Sequence, residues 1–117
     1  MRPLDPWRPG KIVGVFTDID DTLTTDGAIT PDALQALADL KAAGLCVVPV
    51  TGRPVGWSEP FAVQWPVDAI VAENGAVALV HPHGQPLRKL YQQDATTRAA
   101  NFERMQQVLT LIERTIP

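Results

Sequence analysis

Three short apolar runs, separated by segments with helical spacing, most constrain the fold of this chain. The runs cover residues 11–17, 45–50 and 69–72. The first is nearly continuous in apolar residues, the pattern of a strand that is buried on both faces, and the other two are similar. Strands that alternate with helices form a parallel sheet. The sequence therefore predicts an α/β fold built on a partial doubly wound parallel sheet.

The segments between the runs carry helix signals. A helix is expected to start at Thr30-Pro31-Asp32 and to continue over residues 33–43, because Thr30 offers a capping hydroxyl just before a proline and an acidic first turn. A shorter helix is expected within residues 55–64. Proline is tolerated only in the first turn of a helix, so Ser58 is predicted as the cap that places Pro60 there.

A hairpin and a long helix are predicted after the third run. Two apolar segments, residues 76–80 and 87–91, flank a loop rich in proline and glycine. Residues 96–116 have the spacing of an amphipathic helix, whose apolar stripe is expected to pack on its own domain. The stripe consists of Phe102, Met105, Leu109, Ile112 and Ile116.

Composition excludes several classes of protein. A chain of 117 residues corresponds to about one domain, with residues 1–11 as an extended proline-rich arm before the body at 12–117. No apolar run approaches the ~18 residues of a membrane span. The net charge of −3 gives no basic surface for nucleic acid. The single cysteine, Cys46, excludes an internal disulfide framework, is expected to be a small buried residue, and favours a cytoplasmic location.

The segment that follows the first run carries the strongest chemical signal. Asp18, Asp20 and Asp21 crowd into four positions. Such like charges repel unless a cation neutralises them, and oxygen ligands without histidine or cysteine favour Mg²⁺ over zinc. Sites in this type of sheet form outside the carboxyl ends of the strands, so residues 51–53 and 73–75 are expected beside the acidic cluster. The alternative is a solvated acidic turn.

These segments resemble a known superfamily. The sequence Asp18-Ile19-Asp20-Asp21-Thr22 is similar to motif I, D-x-D-x-T, of the haloacid dehalogenase superfamily. The second run closes with Thr51, as that superfamily's motif II does, and Gly52-Arg53-Pro54 follow. Residues 72–76 resemble a segment of the Cof-type and sugar-phosphate phosphatases, which have a large cap. The resemblance implies a Rossmann-like core and a Mg²⁺-dependent phosphomonoester hydrolase.

The resemblance also implies roles for individual residues. Asp18 would attack phosphorus and form an aspartyl-phosphate, while Asp20 would protonate the leaving oxygen and then deprotonate water. The Asp18 carboxylate and the Asp20 backbone carbonyl would bind Mg²⁺. Thr51 would hydrogen-bond the phosphoryl group, and the Gly52 amide would assist. The substrate would be a small phosphorylated metabolite, such as a sugar phosphate.

Four nearby residues have more open roles. Arg53 either contacts the substrate phosphate or forms a surface salt bridge. Asp21 either supports the site or, the favoured interpretation, serves as a turn residue, and Thr22 is a supporting residue. Asn74 either supports its loop, which is favoured, or lines the substrate pocket.

Two motifs of the superfamily are missing after Gly75. No G-D-x-x-x-D segment follows, and the only later lysine, Lys89, lies in the predicted hairpin. We therefore expect residues 12–117 to be the N-terminal part of such a core, without the cap and the C-terminal motifs. Activity of the 117-residue chain alone is left open.

Two other functions compete with this interpretation. A receiver-type phosphoacceptor domain also uses aspartate, Mg²⁺ and threonine, but it expects its phosphoacceptor after a later strand, where this chain has no aspartate. The other alternative is a non-catalytic fragment that binds metal or phosphate and assembles with another chain. An uncovered sheet edge would then favour self-association. Neither nucleic acid nor a membrane is expected as a partner.

Overall fold

The computed structural model describes residues 12–116, so the arm predicted over residues 1–11 lies outside the described residues. Strands and helices alternate in the first part of the chain, and a hairpin and a long helix follow, as predicted. The elements are β1 (Gly14–Asp18), β2 (Thr24–Thr25), β3 (Ala28–Ile29), α1 (Pro31–Ala42), β4 (Cys46–Val50), α2 (Val55–Gln64), β5 (Ile70–Ala72), β6 (Val77–Val80), β7 (Arg88–Tyr91) and α3 (Ala95–Thr115).

The main sheet has the strand order β1-β4-β5-β6-β7. β4 is parallel to β1 and to β5, as the helical connections require. The sheet then becomes antiparallel, because a short turn joins β5 to β6 and a hairpin loop joins β6 to β7. The predicted α/β sheet and its C-terminal hairpin are confirmed, and β2 and β3 form a separate small ribbon.

The first helix begins as its sequence predicts. The Thr30 hydroxyl accepts a hydrogen bond from the Ala33 amide at 3.2 Å, which satisfies one of the free amides of the first turn. Just after the end of α1, Gly44 has a φ of +84°, a conformation that costs glycine little. The turn leads directly into β4.

The start of α2 differs from the prediction. The helix begins at Val55, so Ser58 is not its cap and Pro60 lies in its interior. Ser58 is buried, and its hydroxyl donates to the carbonyl of Pro54 at 3.2 Å. The Glu73 carboxylate instead accepts a hydrogen bond from the Val55 amide at 2.9 Å. The first amide of α2 is therefore bound by a side chain that is distant in sequence, and not by Ser58, the predicted cap.

One face of the sheet carries the core, since α1 and α2 both pack on it. Their buried side chains join those of the central strands in a single cluster, which includes Leu37, Val47, Ala62, Trp65, Ile70 and Leu79. The opposite face is not covered by the described residues. Phe16 in β1 is 76% exposed and Cys46 in β4 is also exposed. The prediction that β1 is buried on both faces was wrong, as was the prediction that Cys46 is buried.

The apolar stripe of α3 is exposed rather than packed. Phe102 is 62% exposed, and the rest of the stripe is similar. The prediction that this helix packs on its own domain is therefore wrong for the described residues, because no described element covers the stripe. Near its start, the Arg98 guanidinium lies 3.5 Å from the centre of the Tyr91 ring. Within residues 12–116, no helix has both the length and the apolar character that crossing a bilayer requires.

Candidate active site

Three strand ends meet at one edge of the sheet. β1, β4 and β5 are mutually parallel, so their carboxyl ends lie side by side. A cleft of about 420 Å³ opens there, and residues from all three strand ends line it. The lining consists of Asp18, Val50, Thr51, Gly52, Val71, Asn74 and Gly75. The structure thus brings together four of the residues singled out in the sequence, namely Asp18, Thr51, Gly52 and Asn74.

Thr51 is the buried polar residue of the cleft. Its amide donates to the carbonyl of Val71 at 2.8 Å, which continues the pairing of β4 with β5. Its hydroxyl oxygen accepts a hydrogen bond from the Arg53 amide at 3.1 Å. A hydroxyl that accepts one bond still has a proton to donate, and Thr51 lines the cleft, where a ligand oxygen could accept it.

A tight turn follows β5 and is fastened to the loop after β4. Glu73 and Asn74 both have left-handed backbone conformations, with φ of 52° and 56°. The Glu73 amide donates to the Arg53 carbonyl at 3.0 Å, and the Asn74 amide donates to the Thr51 carbonyl at 3.2 Å. These bonds hold the loops after β4 and β5 together at the cleft. Asn74 thus supports its loop through its backbone amide, and it also lines the cleft.

Glu73, which the sequence placed at this edge of the sheet without a role, makes contacts that sequence reasoning missed. Its carboxylate binds the first amide of α2, while its own backbone amide is held by the loop before that helix. The two contacts couple the turn after β5 to the start of α2. No local signal could have revealed this, because the partner Val55 lies eighteen positions earlier in the chain.

The acidic segment forms a tight turn that is held by the backbone of Ile19. Ile19 is fully buried, and its carbonyl accepts hydrogen bonds from the amides of Thr22, Leu23 and Thr24. Asp21 has a φ of 58° and donates its amide to the Thr24 hydroxyl, so it occupies a turn position. Asp18, at the end of β1, is exposed, and Asp20 is half-buried.

Asp18 lies at the end of β1 with an exposed side chain. The Thr22 hydroxyl donates to Asp18 Oδ2 over 3.4 Å, a long hydrogen bond that orients the carboxylate weakly. Because Asp18 and Thr51 both line the cleft, a group bound there would be within reach of a carboxylate and a hydroxyl.

Asp20 and Arg53 form an ion pair with two contacts. Arg53 Nε lies 3.2 Å from Asp20 Oδ2, and Nη2 lies 3.3 Å from Oδ1. The hydrogen bond to Asp20, assisted by its charge, raises the pKa of Arg53 above its ordinary value. The salt bridge that the sequence left as one alternative for Arg53 is therefore present, and it joins the loop after β1 to the loop after β4.

Magnesium fits the type of donor found here. The Asp18 carboxylate and the Asp20 backbone carbonyl are oxygen ligands of the kind that Mg²⁺ takes. Among residues 12–116, no three histidine, cysteine or acidic side chains cluster closely enough to form a complete metal site. Mg²⁺ commonly keeps several waters and uses one or two carboxylates together with substrate phosphates, so two protein oxygens suffice for partial coordination.

A family model of the haloacid dehalogenase-like hydrolases matches residues 15–114, which include the whole candidate site. The chain belongs to this family. The match covers most of the chain, and it includes the hairpin and α3 as well as the three strand ends. No curated protein is similar in sequence at a significant level.

Several solved structures share the fold of this chain. A hypothetical protein from Geobacillus kaustophilus is 28% identical, with a TM-score of 0.56 over 82% of this chain and 37% of its own. A phosphatase of the superfamily from Bacteroides thetaiotaomicron is 19% identical, with a TM-score of 0.55 over 92% of this chain and 39% of its own. A haloacid dehalogenase-like hydrolase from B. subtilis is 24% identical, with a TM-score of 0.54 over 86% and 33%. The chain thus spans well under half the length of each.

Proposed function

We propose that the cleft at the strand ends is the phosphoryl-transfer site of a Mg²⁺-dependent phosphomonoester hydrolase. One observation carries this proposal: Asp18 and Thr51, an acidic side chain and a buried hydroxyl from neighbouring strand ends, line the same cleft. Phosphoryl transfer depends mainly on positioning and on stabilising charge, so a nucleophile and a fixed hydrogen-bond donor that line the same cleft suit it.

Asp18 acts as the nucleophile in this proposal. A carboxylate oxygen of Asp18 forms a bond to phosphorus while the bond from phosphorus to the leaving oxygen breaks, which gives an aspartyl-phosphate. The Thr51 hydroxyl and the Gly52 amide donate hydrogen bonds to the phosphoryl oxygens. When bound by the Asp18 carboxylate and the Asp20 carbonyl, Mg²⁺ supplies positive charge that offsets the charge of the phosphoryl group.

Asp20 acts as the general acid and base. Its carboxyl group gives a proton to the leaving oxygen, and the resulting carboxylate then takes a proton from the water that attacks phosphorus. The attack releases inorganic phosphate and restores Asp18. Arg53, which contacts Asp20 in the present structure, adds a positive charge next to the cleft and binds the substrate phosphate in this proposal.

The substrate we propose is a small phosphorylated metabolite, with a sugar phosphate as the first choice, handled in the cytoplasm. We further propose that residues 12–117 provide the N-terminal part of the catalytic core. In the cleft that the structure describes, the lining includes no lysine. That observation favours a second candidate, in which the chain binds metal and phosphate without hydrolysing an ester.

Hydrolysis of p-nitrophenyl phosphate with and without Mg²⁺ tests the proposal. We expect turnover that requires Mg²⁺ and falls to background in Asp18→Asn. Asp26→Asn is a matched control, because Asp26 lies in the turn of the β2–β3 ribbon and its left-handed φ of 53° suits asparagine. Hydrolysis that survives Asp18→Asn would contradict the mechanism. Binding of inorganic phosphate without any hydrolysis would favour the second candidate.

A further inference from the structure

A continuous stack of side chains leads from the core to the candidate site. Its members are spaced four residues apart: Arg53, Trp57, Phe61 and Trp65. The Phe61 and Trp65 rings are stacked, with centroids 4.6 Å apart, and Trp57 meets Phe61 edge to face at 4.9 Å. The Arg53 guanidinium lies over the Trp57 ring at 5.0 Å from its centroid. Trp57 and Phe61 share one face of α2 as i and i+4 residues, and Arg53 and Trp65, which flank the helix, extend the stack at its two ends.

The stack is anchored at its inner end and open at its outer end. Trp65 is buried in the core cluster, whereas the Arg53 side chain is 52% exposed. An exposed arginine ordinarily samples many rotamers, and an exposed ion pair alone fixes it weakly. Arg53, however, has two partners: its Nε and Nη2 atoms contact the Asp20 carboxylate, and its Cζ atom lies over the Trp57 ring. The two contacts together restrict the guanidinium more than the ion pair alone would.

We propose that Trp57 is a positioning residue that holds the Arg53 guanidinium ready to receive the phosphate group of the substrate. This inference rests on the proposed function, because it concerns how the Arg53 guanidinium of that site is held in position. Trp57 lies next to Arg53 in the stack, and Arg53 directly follows Gly52, which lines the cleft. The contribution of Trp57 is therefore to lower the cost of ordering the arginine when a phosphate binds.

The size of the expected effect follows from that ordering cost. Immobilising a side chain with many rotamers on binding costs roughly 0.5–1.5 kcal/mol, which corresponds to a two- to tenfold change in affinity. Tryptophan is the aromatic residue that best attracts a cation, and phenylalanine keeps part of the attraction. Leucine keeps apolar volume but has no ring face. The three residues therefore form a graded series at this position.

The test uses the full chain and two readouts. The first is the NMR signal of the Arg53 Nε–H group, assigned by its loss in Arg53→Lys, since the Trp57 ring current must shift the protons of a guanidinium held over it. The second is titration with inorganic phosphate in the presence of Mg²⁺. We expect Trp57→Leu to abolish the ring-current shift and to weaken phosphate binding roughly two- to tenfold. Trp57→Phe should retain part of both.

Tyr91→Leu is the matched control, because it removes the contact of another arginine, Arg98, with an aromatic ring and should leave both readouts unchanged. An unshifted Arg53 signal in the wild-type chain would overturn the inference, even if Trp57→Leu did not fold. Equal phosphate affinity in folded Trp57→Leu and wild type would overturn it as well. Absence of phosphate binding in the wild type would instead contradict the proposed function, and the Arg53 signal would still report whether Trp57 holds the guanidinium.

Discussion

The α-carbon of Gly52 faces the side-chain amide of Asn74 so closely that a methyl group on Gly52 would lie 2.9 Å from Asn74 Oδ1. The two residues come from the loops after β4 and β5, and both line the cleft. A side chain at this position would therefore have to push the Asn74 amide aside.

Gly52→Ala should displace the Asn74 amide without unfolding the protein, because the end of a side chain can move where backbone could not. We expect the free energy of unfolding in urea to fall by about 1 kcal/mol. Phosphate binding should weaken, since the amide of residue 52 is one of the proposed donors. Gly56→Ala is the control: no atom lies within 4 Å of the added methyl, so alanine should stabilise α2 by about 0.5–1 kcal/mol. Unchanged phosphate affinity in Gly52→Ala would contradict our placement of the site.

The two faces of the sheet should respond differently to truncation of a leucine. Leu79 in β6 is fully buried in the core cluster, whereas Leu90 in the neighbouring β7 is 48% exposed on the other face. Leu79→Ala should lower the free energy of unfolding by about 2–5 kcal/mol. Leu90→Ala should change it by less than about 1 kcal/mol. Similar losses in urea titrations of the two variants would mean that the second face is also covered.

Asp68 should make the free energy of unfolding depend on pH in the acidic range. Burial by itself would raise the pKa of this carboxyl, but hydrogen bonds from the Lys41 ammonium and from the Val47 amide, at 2.6 Å, outweigh it, so the pKa is lowered. A lowered pKa in the folded state stabilises the protein above the ordinary value of 3.8, and this contribution is lost as the pH falls through the folded value.

We therefore expect Asp68→Asn to lose stability near neutral pH and to show a smaller further loss below pH 3.8 than the wild type. The Asp68 side chain is 34% exposed, so the difference should stay within about 1 kcal/mol. Lys41→Met should reduce the same acid-dependent contribution, because it removes one of the two partners. Thermal unfolding at a series of pH values measures both variants. A variant with the same acid dependence as wild type would exclude this role for Asp68.

The strand ends and the first helix were predictable because their signals are local. The Thr30 cap and the apolar runs are properties of a few adjacent residues. Parallel pairing then brought Asp18 and Thr51 to one edge, so their juxtaposition in the cleft follows from fold class alone. Their chemical roles remain predictions.

Features that depend on distant partners were not predictable in the same way. The helix start of α2 is bound by Glu73, which no local pattern connects to Val55. The exposure of Phe16 depends on whether another element packs on that face of the sheet. The apolar character of a strand residue does not show whether such an element is present. Arg53 and Trp57 are in contact and are four residues apart. Arg53 lies before the predicted helix, however, so helical spacing did not predict this contact.

The change from parallel to antiparallel pairing at β5 has a practical consequence. β6 runs away from the cleft, so the loop between Val80 and Arg88 lies at the opposite edge of the sheet from Asp18. Its tip is exposed and includes Gly84, with a φ of +71°. Exposed loop tips with small residues tolerate insertions and new chain termini. This loop is therefore the place to attach a fluorophore, or to open a circularly permuted chain, without disturbing the cleft.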